Sequence, residues 1–68
     1  MRRSYILDGE KILGLLHPRN RQWLAGEVGV STMTIDNAIN GRPMSPEVAE
    51  SVARKLGVAL DMMLLSFP

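Results

Sequence analysis

The sequence predicts an all-α fold, a compact bundle of about five short helices. Apolar residues recur at helical spacing in five stretches, and capping residues, glycines or prolines separate these stretches. No stretch alternates apolar and polar residues for long enough to indicate a β-sheet. The 68 residues are expected to form one domain, 1–68, in which residues 1–7 are a flexible N-terminal arm. Within that arm, Arg2 and Arg3 are interpreted as a frayed terminus, with a phosphate-reaching arm as the alternative.

Length and composition disfavour several classes of function. A domain this small hides only about 60% of its unfolded surface, so a pocket for a buried substrate would remove much of its core. The chain has no cysteine and one histidine, and we therefore expect no disulfide, metal site or cofactor. No apolar run approaches the length of a membrane span, so we expect a cytoplasmic protein without membrane contact.

The first helix is predicted from Asp8 to about His17. Asp8 is expected to be its N-cap, and Glu10 suits the positive end of the helix dipole. Pro18 disfavours the helical conformation for the residue before it, which ends the helix. His17 has no obvious catalytic partner nearby in the sequence and is interpreted as a helix-end residue favoured by the dipole. The apolar face of this helix is expected to contain Ile12, Leu13, Leu15 and Leu16.

Two further helices are predicted on either side of a break at Gly29. Leu24, Ala25 and Val28 share one helix face, and the same spacing returns after the break at Ile35, Ala38 and Ile39. Gly29 can adopt a positive φ and close the earlier helix, and Ser31 can cap the later one. A connection of about three residues has the length of a helix-turn-helix turn.

The start of the earlier helix in this pair carries a cap and an aromatic residue. Asn20 is expected to cap it. Trp23, in its first turn, is interpreted as a residue that packs over the edge of the bundle. The alternative is that its indole N–H is left free for a partner such as a phosphate oxygen.

The last two helices follow a loop at residues 42–44. Ser45, Pro46 and Glu47 form a marked helix start, and this helix is expected to end near Leu56, before Gly57. The final helix is predicted at about residues 59–65. More apolar side chains follow than its packing face needs, which indicates either a dimer contact or a terminal helix that folds back onto the core. The possible dimer contacts are Met62, Leu65 and Phe67.

This arrangement resembles the phage repressor and Cro family of helix-turn-helix proteins, which have the lambda repressor-like fold. The resemblance extends from about residue 8 to residue 65. It is carried by residues that stand at the family's spacing in the turn unit and in the closing helices: Leu24, Ala25, Val28, Gly29, Val30, Ser31, Ile35, Ala38, Ile39, Gly41, Pro46, Glu47, Val48, Ala53, Leu56, Gly57, Val58, Asp61 and Leu64.

The resemblance implies a sequence-specific, DNA-binding transcriptional regulator from a phage or prophage. It would bind double-stranded DNA as a homodimer on a palindromic operator, with the recognition helix, about residues 32–39, in the major groove. The family's base-reading positions fall on Thr32, Met33, Asp36 and Asn37. Contacts to the DNA backbone are expected from Arg19, Arg21, Gln22 and Arg42.

An interaction with another protein is the alternative. The net charge is only +1, Asp36 places a carboxylate on the recognition helix, and Met33 and Ile39 are expected to be exposed. These features suit a protein surface better than phosphates. The chain would then be a helix-turn-helix module that binds a repressor or a toxin, as an antirepressor or antitoxin does. An enzyme is not expected, because His17 and Ser45 are not spaced like members of a catalytic triad.

Overall fold

The computed structural model describes residues 4–66, and within this range the chain forms five helices and a two-stranded antiparallel sheet. None of these helices has the length and hydropathy that crossing a membrane requires. The five predicted helices are confirmed, but the prediction of a fold without a sheet is wrong. The elements are β1 (Ile6–Leu7), α1 (Gly9–Leu16), α2 (Arg21–Val28), α3 (Thr32–Ile39), α4 (Pro46–Lys55), α5 (Leu60–Met63) and β2 (Leu64–Ser66).

Side chains cap the first four helices at the positions that the sequence predicts. The Asn20 side chain, for example, accepts a hydrogen bond of 2.8 Å from the backbone N–H of Trp23. Each such bond satisfies a backbone donor that has no partner within its helix. The four caps are Asp8, Asn20, Ser31 and Ser45.

All five helices and β1 contribute to one hydrophobic core. Its buried members are Leu7, Ile12, Leu16, Leu24, Ala25, Ile35, Ala38, Met44, Ala49, Val52, Ala53 and Met63. The prediction that Leu13 and Leu15 belong to the apolar face of α1 is wrong, because each of them is 43% exposed. Ile12 and Leu16 stand four residues apart and face the core, so the neighbouring leucines point away from it.

The sheet joins the two ends of the described chain. β1 and β2 pair with Ile6 opposite Ser66 and Leu7 opposite Leu64. On the side of Tyr5, two backbone hydrogen bonds of 2.8 Å connect that residue with Met44, in the loop before α4. The expectation of a loose arm is therefore wrong for residues 5–7, because their backbone is paired and their last side chain is buried. Residues 1–3 lie outside the described part of the chain.

The last helix is shorter than predicted. α5 ends at Met63, whereas the sequence predicts a helix to about residue 65. The backbone becomes extended at Leu64, with φ of −78° and ψ of 129°, and continues as β2. The Met63 carbonyl accepts a hydrogen bond of 2.7 Å from Asp8, so this turn into the sheet is tied to the start of α1.

Candidate functional site

The three-residue turn between α2 and α3 closes as the sequence predicts. Gly29 has a φ of +86°, a conformation that glycine adopts without steric cost. The backbone N–H groups of Gly29 and Val30 both donate to the carbonyl of Ala25, at 2.8 and 3.0 Å. The Val30 bond is the 6→1 bond of a Schellman motif and the Gly29 bond is the 5→1 bond of an αL motif, so both end the helix at the Ala25 carbonyl. The Ser31 hydroxyl then accepts from the backbone N–H of Thr34 at 3.2 Å and starts α3.

Small and branched side chains fix α3 against its support. Leu24 and Ala25 from α2, together with Ile35 and Ala38 from α3, are between 0% and 4% exposed. Because two helices can only approach closely where the side chains between them fill the space without overlap, this contact determines which side of α3 faces away from the protein.

Close backbone packing also holds the end of α3. A Cβ atom added at Gly9, the first residue of α1, would overlap the carbonyl of Ile39. Ile39 itself is half-buried and packs against the core, so the prediction that it is exposed is wrong. Nothing in the local sequence around Gly9 indicates that α1 begins against the last turn of α3.

The four predicted base-reading residues share the outward side of α3, which we call the α3 outer face (Thr32, Met33, Asp36 and Asn37). Met33 is 71% exposed, as predicted, and the other three are half-buried. Their spacing in the helix directs Met33, Asp36 and Asn37 away from the buried pair of Ile35 and Ala38, with Thr32 at the edge of the same side. The structure therefore brings these four residues together on one accessible surface.

The start of α2 lies beside the α3 outer face, and an ion pair joins the two. Nη1 of Arg21 is 2.7 Å from Oδ1 of Asp36, which is the length of a charge-assisted hydrogen bond. The two side chains keep 45% and 40% of their surface exposed. This pair links a predicted phosphate contact with a predicted base contact across 15 positions of the sequence, a separation that no local pattern reveals.

An open groove of about 580 Å³ runs along the end of α1 and the start of α2. Three of the four predicted backbone-contact residues line it, namely Arg19, Arg21 and Gln22. No acidic residue lies in the first turn of α2, so that turn adds no negative charge to the positive end of the helix dipole. The groove also contains His17, which is exposed and caps the end of α1 as predicted.

Trp23 packs against the core with part of its ring exposed, in agreement with its interpretation as a packing residue. The guanidinium carbon of Arg19 lies 4.1 Å from the ring centroid, a cation–π contact. This contact holds Arg19 over the start of α2.

Arg42, the fourth predicted backbone contact, stands apart from this group. It follows the C-terminal end of α3, where its backbone N–H donates to the carbonyl of Asn37 at 2.9 Å. Its side chain is exposed. The structure therefore places cationic side chains both at the start of α2 and just after α3, with the α3 outer face as the shared neighbour.

Two of the three predicted dimer contacts are accessible. Met62 is 58% exposed and Leu65 is 64% exposed, and Phe67 lies outside the described residues. Met62 borders a shallow apolar groove of about 330 Å³ between α1 and α5, which Leu15 also lines. The Lys11 ammonium group donates to the Met62 carbonyl at 2.8 Å and lies at the edge of this groove.

Within the part of the chain that the structure describes, no group of three or more His, Cys, Asp or Glu side chains could hold a metal ion. Searches with protein-family models, among curated proteins and among solved structures found no match to the chain. The resemblance to the phage repressor and Cro family therefore rests on the residues of the turn unit and the closing helices.

Proposed function

We propose that the chain is a sequence-specific, DNA-binding transcriptional regulator of the phage repressor and Cro type, with the lambda repressor-like fold. One observation carries the proposal: the α3 outer face is accessible, and Arg21 at the start of α2 lies directly beside it, 2.7 Å from Asp36, so the two helices present one continuous surface. Such a surface can place α3 in a major groove while α2 contacts the adjacent DNA backbone. The role is one of binding in the cytoplasm, without catalysis or a cofactor.

The α3 outer face offers side chains that can distinguish base pairs. The carboxamide of Asn37 can form a paired contact with N6 and N7 of adenine. Thr32 and Met33 can make apolar contact with a thymine methyl group, and the carboxylate of Asp36 can accept from N4 of cytosine. We expect operator half-sites that are rich in A·T pairs.

The start of α2 could bind a phosphate group of the DNA backbone. The first N–H groups of a helix point outward without intrahelical partners, and the helix dipole favours an anion there. Arg19, Arg21 and Gln22 line the groove beside this helix start. Arg42 would reach the backbone beyond the other end of α3.

We propose a homodimer as the DNA-binding form. Met62 and Leu65 leave apolar surface accessible on α5 and β2. A two-fold axis through this region would present the two recognition helices to successive major grooves, about 34 Å apart. The operator would then be palindromic.

A protein-interaction module is the second candidate, and two observations favour it. Met33 is 71% exposed at the most accessible position of α3, and the charge of Arg21 is partly compensated by Asp36. A surface of this kind could bind a repressor or a toxin and block its activity. The chain would then act as an antirepressor or antitoxin.

A binding assay on the DNA that flanks the protein's own gene separates these candidates. On the DNA proposal, Asn37→Ala weakens discrimination at one base position by about 1–3 kcal/mol. Arg21→Ala weakens binding to all sequences alike, because phosphate contacts carry no base information. Arg54→Ala, an exposed arginine in the last turn of α4, is the matched control and should leave binding unchanged.

The opposite outcome identifies the second candidate. If neither Asn37→Ala nor Arg21→Ala changes DNA binding, and the wild-type protein co-purifies with the product of a neighbouring gene, the DNA proposal is wrong. Loss of that co-purification in Met33→Ala would then place the protein partner on the α3 outer face.

A further inference from the structure

The ion pair between Arg21 and Asp36 is unusual in its placement. Arg21 is the first residue of α2, where the positive end of the helix dipole disfavours a cation. Asp36 lies in the middle of α3, so the charge of Arg21 is compensated by a residue from outside α2. The pair therefore belongs to the surface that the two helices share, and neither helix needs it for its own start.

The pair leaves hydrogen-bonding capacity on both sides. A guanidinium group has five N–H donors and a carboxylate has two acceptor oxygens. The observed contact joins only Nη1 of Arg21 to Oδ1 of Asp36. Both side chains remain about half exposed, so the other donors of Arg21 can reach a phosphate while Oδ2 of Asp36 can accept from a base.

We infer that Asp36 determines specificity by acting through Arg21, an inference that rests on the DNA-binding function proposed above. Its negative charge lies beside the arginine that contacts the phosphate, so it weakens binding to every duplex. The cost is offset only where a base presents an amino group, N4 of cytosine or N6 of adenine, to the free carboxylate oxygen. Asp36 thus suppresses binding to other sequences and keeps Arg21 oriented.

A second ion pair supplies a control within the same molecule. Lys55 Nζ lies 3.8 Å from Oε1 of Glu27, at the other end of α2, and these side chains are 43% and 44% exposed. Glu27→Gln and Asp36→Asn both remove one negative charge from a half-exposed ion pair that involves α2. Of the two acidic residues, Asp36 belongs to the α3 outer face and Glu27 does not, so a difference between the two variants cannot come from net charge.

The test compares two duplexes for the wild-type chain and both variants. One duplex is selected by the wild-type protein from a randomised pool, and the other has a random sequence. Asp36→Asn should raise affinity for the random duplex by roughly threefold to tenfold at low salt, because a like charge near the phosphate is removed. The ratio of selected to random affinity should fall by at least roughly fivefold. Glu27→Gln should leave that ratio unchanged.

A second set of variants tests whether Asp36 acts through Arg21. In the background of Arg21→Gln, the rise in affinity for the random duplex caused by Asp36→Asn should be markedly smaller than in the wild-type background, because the carboxylate then has no phosphate-contacting arginine beside it and the effects of coupled residues are not additive. Circular dichroism of each variant confirms that the helices are retained.

Three results would overturn the inference. Equal effects of Asp36→Asn and Glu27→Gln would show a general charge effect. A loss of affinity for both duplexes in Asp36→Asn would show that the pair only supports binding. In each of these cases the wild-type protein still binds DNA, so the proposed function survives. If the wild-type protein selects no sequence and binds no duplex, the proposed function fails and the inference falls with it.

Discussion

The inner and outer faces of the α2–α3 unit differ in how much of their side-chain surface is exposed to solvent. On the inner face, Leu24, Ala25, Ile35 and Ala38 are at most 4% exposed and lie in the close-packed core. On the α3 outer face, exposure reaches 71% at Met33, and the one ion pair is solvent-accessible. Substitutions inside should therefore change stability, whereas substitutions outside should change binding and leave the fold intact.

Ile35→Ala should have the largest effect on stability. Ile35 is fully buried, and truncation of such a side chain costs about 2–5 kcal/mol through lost transfer energy and the cavity left behind. Met33→Ala, two residues away on the outer face, should change stability by no more than about 0.5 kcal/mol. Urea unfolding of both variants measures the difference, and equal losses would show that the two faces are not distinct.

Gly9→Ala should come next, at about 1–3 kcal/mol of destabilisation. The added methyl group would meet the backbone carbonyl of Ile39, which cannot move aside as a flexible side chain can. Gly14→Ala is the control in the same helix, because nothing lies within 4 Å of the position where its Cβ would be. It should stabilise the protein by roughly 0.5–1 kcal/mol. A neutral Gly9→Ala would mean that α1 does not brace the end of α3.

Ala25→Leu should destabilise the fold by about 1–3 kcal/mol, since a larger side chain would separate α2 from α3. Ala25 is 4% exposed, and its carbonyl also accepts the two hydrogen bonds that close the turn. At the adjacent exposed residue Gly26, nothing lies within 4 Å of the position that an added Cβ would occupy. Gly26→Ala should therefore leave stability unchanged or increase it. If thermal unfolding shows Gly26→Ala to be less stable than Ala25→Leu, the conclusion that α2 and α3 pack closely at Ala25 is wrong.

Ser31→Ala should cost about 1 kcal/mol, because it removes the acceptor for the backbone N–H of Thr34 at the start of α3. Ser31→Asn keeps an oxygen acceptor at the same position and should restore most of the loss. Chemical unfolding of the two variants tests this. A Ser31→Ala variant as stable as the wild type would indicate that the cap contributes nothing.

Arg21→Ala should have the smallest effect on stability, at roughly 0.2–1 kcal/mol for an exposed ion pair. Its effect on DNA affinity should be larger than its effect on the melting temperature. A large fall in melting temperature would show that Arg21 contributes substantially to the stability of the fold, which would contradict this prediction.

Local signals predicted most of the scaffold. Capping residues, Gly29 and the i, i+4 spacing of apolar side chains act within one or two helical turns, so the sequence shows them directly. The starts of α1 to α4 and the three-residue turn agree with these signals. The spacing also placed Ile35 and Ala38 in the core correctly.

Features that depend on distant contacts were missed. β1 and β2 have two and three residues, too short for an alternating pattern to appear, and they form because residues 6–7 and 64–66 pair across the fold. In α1, one isoleucine and three leucines suggest a single apolar face, but only Ile12 and Leu16 face the core, and Leu13 and Leu15 are exposed. Arg21 and Asp36 are 15 positions apart, and only the folded α2–α3 unit brings them together.

The salt dependence of DNA binding tests the central proposal most directly. About three arginine–phosphate contacts in each subunit of a dimer predict that the logarithm of affinity falls with the logarithm of salt concentration with a slope near −5. Arg21→Ala should reduce the steepness of that slope by about 2 in a dimer, because one contact is lost from each subunit. A flat salt response, unchanged by Arg21→Ala, would contradict the assignment of this surface to DNA.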